Sequence, residues 1–227
     1  GCETWTDLAR TLSYDVCGNL LSEEEVNELS NLISDLKFIP GGRYLYYAGR
    51  ENKFFNNCFL LKAEEDTRED WANLSWKSES CLMTGGGIGV DYSVYRGSGE
   101  ILRGTGGVAS GPIPKMQMIN EIGRRVMQGG SRRSAIYASL NWKHKDINEF
   151  LHSKNWDDHV LGTDLTMGDL KKKDFNFPCP LDMTNISVNY DTEWLLNYWK
   201  TGEVGDVFNE NVRQALSTGE PGFSFNF

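Results

Sequence analysis

The sequence has little of what builds metal centres and covalent staples. Its 227 residues include three histidines (His144, His152, His159) and five cysteines, at positions 2, 17, 58, 81 and 179. No two cysteines form a Cys-x-x-Cys pair and no His/Cys cluster has zinc-ligand spacing, which excludes a zinc module. The cysteines are also too sparse for a disulfide scaffold, and a chain of this length buries enough surface to fold without one. Prolines number only six, and there is no low-complexity tract or 20–50-residue repeat, which excludes collagen-like, disordered and solenoid classes. No run of 18 apolar residues is present to span a membrane, and the Walker phosphate-loop pattern is absent. These residues hold no basic-then-apolar leader, and their thiols are scattered. A reducing cytoplasm is therefore the expectation.

Positive charge is scarce as well. There are 23 Lys and Arg against 32 Asp and Glu, a net charge of −9, which argues against a general nucleic-acid binder. The deficit is uneven. Residues 1–102 sum to −8 and residues 155–227 to −7, whereas residues 103–154 sum to +6. One basic segment in an acidic chain suits a compact anion such as a nucleotide polyphosphate; a solvated basic helix fits the same arithmetic.

The pattern divides the chain into a helical segment, residues 1–50, and an α/β portion, residues 51–227. Ser22 with Glu25 is a capping box, and Val26, Leu29, Ile33 and Leu36 follow at helical spacing until Pro40-Gly41-Gly42. From there strands and helices alternate. Residues 54–61 read as a buried strand, and Thr67 with Asp70 caps a helix bearing Trp71, Leu74 and Leu82. Residues 88–95 read as a second strand, and Pro112 and Pro114 open a helix that Gly129-Gly130 ends. Further strands are expected at 134–140, 186–190 and 222–227, with residues 155–184 irregular. Helical segments of ten or more residues between strands imply parallel pairing, and five strands fall short of a closed eight-stranded barrel. The chain begins Gly1-Cys2 without Met and stops within an alternating strand pattern, so it is expected to be part of a longer protein.

Three motifs carry chemistry. Residues 85–93 and 104–111 are glycine-rich, Gly-Gly-Gly-Ile-Gly-Val-Asp-Tyr-Ser and Gly-Thr-Gly-Gly-Val-Ala-Ser-Gly. Such stretches serve tight turns and packing, or let backbone approach an anion. Residues 104–109 match Gly-x-Gly-x-x-Ala, but no buried strand precedes them, and the acidic residue some 20 positions on, Glu121, falls within a helix, which weighs against a dinucleotide site. Gln128-Gly129-Gly130-Ser131-Arg132-Arg133 is a loop able to fork onto phosphate or a base edge, or simply a basic solvent loop. Asn56-Asn57-Cys58 places two amides before a strand cysteine; the cysteine is either inert packing or a working thiol.

Together these residues resemble the large catalytic chain of ribonucleotide reductase. The similarity runs in order through Asn57-Cys58, Glu65-Asp66-Thr67, residues 85–93, Arg96, Arg103, residues 104–111 and 128–140. It continues through His144-x-Asp146-Ile147-x-x-Phe150, Asn185-Ile186-Ser187-Val188 and Gly219-Glu220-Pro221-Gly222-Phe223. The wording around residues 131–142 is most similar to the adenosylcobalamin-dependent class, including phage members, whose setting would be a bacterial host's cytoplasm. The resemblance implies an α/β fold: a helical N-terminal segment followed by the first five-stranded parallel half of a ten-stranded α/β barrel.

It also implies roles. Cys58 would be one of two thiols that reduce the ribose 2′ carbon and become a disulfide. Asn57, Gly87 and Arg132 would touch the substrate, a ribonucleoside di- or triphosphate, with Arg132 relaying effector identity to the base. Asp66, Thr67, Arg96 and Arg103 would bind a deoxynucleotide effector. The implied radical source is adenosylcobalamin, the alternative being a radical from a metal-containing partner subunit. The implied partners are the C-terminal half of the enzyme and a thioredoxin-like reductant, with no nucleic acid and no membrane. The family's radical-forming cysteine and second redox thiol have no match here, since Cys179 sits between Pro178 and Pro180 and Cys81 on a helix. These residues alone are therefore expected not to turn over. The alternative is a nucleotide-binding α/β module or regulatory fragment without catalysis of its own.

Overall fold

The computed structural model describes residues 3–51, 54–104, 106–126 and 134–227. They form two compact units, residues 1–57 and 58–227.

The first unit is helical: α1 (Trp5–Arg10), a π-helical turn (Thr11–Val16), α2 (Glu23–Ser34) and α3 (Gly42–Tyr47). Its core gathers Ala9, Leu12, Ile33 and Ala48. The Ser22 capping box is present, with the Glu25 carboxylate 2.8 Å from the Ser22 amide. The helix stops sooner than Pro40. Leu36 takes a left-handed φ of 58°, and the Lys37 N–H reaches back to the Leu32 carbonyl at 2.9 Å, the reversal that closes helix C-termini. Gly41 then serves as the N-cap of α3.

The second unit is a five-stranded sheet: β1 (Cys58–Lys62), β2 (Gly87–Asp91), β3 (Ile136–Asn141), β4 (Thr184–Asp191) and β5 (Gly222–Asn226). The strands lie in sequence order and every neighbouring pair is parallel. Helices α4 (Arg68–Met83), α5 (Pro112–Arg125), α6 (Ile147–His152), α7 (Met167–Lys173), α8 (Thr192–Thr201) and α9 (Asp206–Thr218) fill the crossovers. Right-handed crossovers that always step to the next strand in one direction put every helix on the same face. Burial agrees: Ile88, Val90, Ile136, Ala138, Leu140, Ile186, Val188 and Tyr190 are buried in one core with Leu74, Leu82, Met116 and Ile119 of α4 and α5. The expected half-barrel of five parallel strands with a helical N-terminal segment is therefore the observed fold.

Two readings need correction. The strand placed at 54–61 begins only at Cys58, and it is not buried. Its residues alternate, and the face carrying Cys58 and Leu60 is open, Leu60 being 86% exposed. The helices cover only the other face. Residues 155–184 also hold a helix, α7, opened by a capping box between Thr166 and Asp169. No helix among the described residues is long and apolar enough to cross a membrane.

Candidate active site

Cys58 opens β1 and is exposed. In the parallel register its Cα partner is Gly87, the first residue of β2, so two of the residues assigned to substrate stand side by side. They line a cavity of about 460 Å³ on the helix-free face, together with Leu60, Gly89, Tyr137 and Asn185. That volume lies in the range of small-ligand sites. Gly89 forms part of the wall: a Cβ there would sit 3.5 Å from Tyr137 Cδ1 and 3.8 Å from Leu60 Cδ1. The absence of side chains at 87 and 89 keeps the middle of the cavity open. Tyr137 and Asn185 join the site without having been assigned a role. Asn185 lay in a recognised stretch, but only the register, in which it partners Tyr137, brings it to this face.

Two of the other described thiols, Cys81 and Cys179, differ. Burial pushes the Cys81 and Cys179 thiols up from their ordinary values, and Cys179 donates weakly to the Met167 carbonyl at 3.5 Å. Both are held in their protonated, less reactive form. Asn57 ends the first unit, where its Oδ1 accepts from Arg43 Nε at 2.8 Å. Arg132 lies outside the described residues.

Three of the four positions assigned to effector binding, Asp66, Thr67 and Arg96, gather at the other end of the sheet, beyond the C-termini of β1 and β2. Five strand residues put roughly 13 Å between the two ends of β1. Asp66 forms an ion pair with Arg96, whose Nη2 also reaches the Asp66 carbonyl at 3.4 Å. Thr67 is the N-cap of α4, its hydroxyl accepting the Asp70 N–H at 3.1 Å. Arg103 stands apart on an exposed turn, with no ion pair among the described residues. Asp66, Thr67 and Arg96 are thus brought together, and Arg103 is not. Among the described residues no group of three or more His, Cys, Asp or Glu could hold a metal ion.

Residues 56–177 match the family model described as "Ribonucleotide reductase, barrel domain". The chain belongs to this family.

Among its relatives, a vitamin B12-dependent ribonucleoside-diphosphate reductase of Thermoplasma acidophilum is 30% identical over 202 residues, 88% of this chain and 25% of that protein. A ribonucleoside-diphosphate reductase large chain of Cryptosporidium parvum is 33% identical over 136 residues, 60% of this chain and 17% of that protein. The structure superposes on an Actinobacillus ureae class Id ribonucleotide reductase alpha subunit with a TM-score of 0.72, covering 98% of this chain and 37% of that one at 15% identity. At that identity the likeness is one of fold. The chain thus spans about a quarter of the length of the Thermoplasma reductase. Within the ribonucleotide reductase barrel, the matched region contains β1 to β3 and both ends of the sheet described above.

Proposed function

We propose that this chain supplies the first half of the catalytic barrel of a ribonucleotide reductase, with Cys58 as one of the two thiols that reduce the substrate. The observation that carries this is an exposed thiol at the start of β1, in register with a side-chain-free glycine and facing a nucleotide-sized cavity. A cysteine serving as packing would lie on the helix face with Ile88 and Val90.

The chemistry suits that placement. Loss of the ribose 2′ hydroxyl as water, and its replacement by hydrogen, takes two electrons and two protons. Two thiols supply both and end as a disulfide, which thiol exchange with a thioredoxin-like protein restores. Cys58 provides one of these thiols; the other would come from the remainder of the enzyme. Gly87 and Gly89 let the sugar approach the sheet backbone closely. Tyr137 and Asn185 offer polar groups beside it, and Asn57 is the further substrate contact that the family resemblance assigns. The substrate is a ribonucleoside polyphosphate, and the relatives' names favour the diphosphate. Asp66, Thr67, Arg96 and Arg103 form the deoxynucleotide effector site, Arg132 relays effector identity to the substrate base, and the enzyme works in a cytoplasm.

Adenosylcobalamin is the radical source that the Thermoplasma relative favours, where it would supply the radical that starts reduction; a metal-containing partner subunit is the alternative. A corrin with its nucleotide tail is larger than the 460 Å³ cavity beside Cys58, so that cavity is assigned to the ribonucleotide and the corrin would be held largely by the remainder of the enzyme.

The test is Cys58→Ser in the full-length enzyme. Deoxynucleotide formation should fall below detection while substrate Kd changes less than about twofold. Retained reduction at more than a few per cent would refute the assignment.

A further inference from the structure

His144-x-Asp146 belongs to the recognised pattern but has no part in the chemistry above. We propose that Asp146, assisted by His144, is the positioning residue that sets the effector-binding arm. The proposal rests on the effector reading of Arg96 and Arg103.

Residues 98–104 leave the body of the unit and residues 106–111 return, as a two-stranded arm. Gly99 N–H donates to Ala109 O at 2.9 Å, Ala109 N–H to Glu100 O at 2.7 Å and Leu102 N–H to Gly107 O at 3.0 Å. Ile101 bridges Val108 in antiparallel fashion. Arg103 sits on the turn beyond that bridge, and Arg96 lies just before the root.

The segment that follows β3 docks on this root residue by residue. His144 Nε2 lies 2.7 Å from the Tyr95 carbonyl, and His144 Nδ1 accepts the Asp146 N–H at 3.0 Å. The ring therefore carries its proton on Nε2 and donates to Tyr95. Lys145 lies across Gly97, where a Cβ would come within 2.6 Å of Lys145 Cβ. Both Asp146 oxygens accept the Ser98 N–H, at 3.0 and 2.9 Å. The same carboxylate lies against Gly111, where any Cβ would collide with Oδ2, and Gly111 itself has φ 78°. One carboxylate thus meets both the departing and the returning end of the arm.

Two further features mark Asp146 as spent on the arm. It is buried, 7% exposed, and has no ion-pair partner among the described residues. It is also the N-cap of α6, yet its side chain makes no capping bond, forgoing what N-cap aspartates ordinarily contribute to their own helix. The root is tied on its other side by the Asp66–Arg96 ion pair and by Tyr95 Oη donating to Asp70 at 3.1 Å. With Asp146 in place, the arm can hold Arg103 over the same polyphosphate that Thr67 and Arg96 approach. Without it, the Ser98 N–H loses its partner and the arm loses its register.

The test uses the full-length enzyme and dTTP as the effector probe, with Kd measured by equilibrium binding. Asp146→Ala should weaken dTTP by about tenfold, the scale of a lost hydrogen bond to a charged group. Asp146→Asn keeps an oxygen for the Ser98 N–H and should stay within about threefold of wild type. A purely structural role would lower the melting temperature of both variants and leave the Kd of the folded protein unchanged. Arg103→Ala separates the two layers of the reading. If Arg103→Ala weakens dTTP and Asp146→Ala does not, the positioning role is overturned and the effector site stands. If Arg103→Ala has no effect, the effector site fails and this proposal with it. Equal losses in Asp146→Ala and Asp146→Asn would also overturn it. Should Asp146→Ala not fold, amide exchange of the wild type decides: the Ser98 amide should be protected and slow further with dTTP, and free exchange in both states would overturn the proposal.

Discussion

Replacing Asp182 by asparagine removes a negative charge where two cations converge. The Asp182 side chain is fully buried and accepts from Lys171 Nζ at 2.5 Å, from Asn120 Nδ2 at 3.2 Å and from Arg124. The cations are themselves nearly enclosed, with Arg124 at 14% and Lys171 at 13% side-chain exposure. The knot joins α5, α7 and the turn into β4. Breaking a buried ion pair by deleting one partner costs about 3–5 kcal/mol. The remaining access of water to both cations puts this case near the lower end, about 3 kcal/mol. With a urea m-value of roughly 2 kcal/mol per M, the midpoint of unfolding should fall by about 1.5 M. The effect has a pH signature. Burial alone would raise the Asp182 carboxyl, but hydrogen bonds from Arg124, Lys171 and Asn120 outweigh it and hold the pKa below its ordinary 3.8. A depressed folded-state pKa contributes stability that is present above the unfolded value and lost as pH falls through the folded one. The gap between wild type and Asp182→Asn should therefore be full at pH 7 and close below about pH 4. Urea titrations at pH 7 and pH 3 measure both. A cost under about 1 kcal/mol at pH 7, or a gap unchanged at pH 3, would show that water already solvates the cluster.

Two other substitutions probe the two ends of the sheet. Gly89→Ala adds a methyl in ordinary contact with Tyr137 and Leu60, so stability should hold within about 0.5 kcal/mol. The methyl nonetheless takes cavity space, and the KM of the full-length enzyme for its ribonucleotide should rise several-fold. Thr67→Ala removes the α4 cap, costing about 1 kcal/mol of stability in a urea titration, and should weaken dTTP binding at the same time.

The fold was largely legible because parallel α/β units announce themselves locally. Thr67 and Asp70 marked the start of α4, Pro112 the start of α5, and apolar runs the strands between. What escaped depends on long-range geometry. Phe59, Leu60 and Leu61 form an apolar run that reads as buried on both faces, and periodicity cannot tell which face the helices leave open. The signal for α7 was present in Thr166-x-x-Asp169, but the helix has seven residues and buries none of them, so no apolar stripe supported it. In the site, Cys58 and Gly87 were readable as motif residues, whereas Tyr137 and Asn185 reach the cavity only through strand register. The docking of Asp146 on Ser98 spans 48 positions, beyond any local pattern.

The most direct measurement follows the Cys58 thiol through one turnover. Full-length enzyme, pre-reduced and then freed of external reductant, is given its ribonucleotide, quenched with iodoacetamide and digested for mass spectrometry. Cys58 should become resistant to alkylation, and alkylatable again after reduction, in an amount equal to the deoxynucleotide formed. Deoxynucleotide appearing while Cys58 stays fully alkylatable would contradict its role as the electron donor.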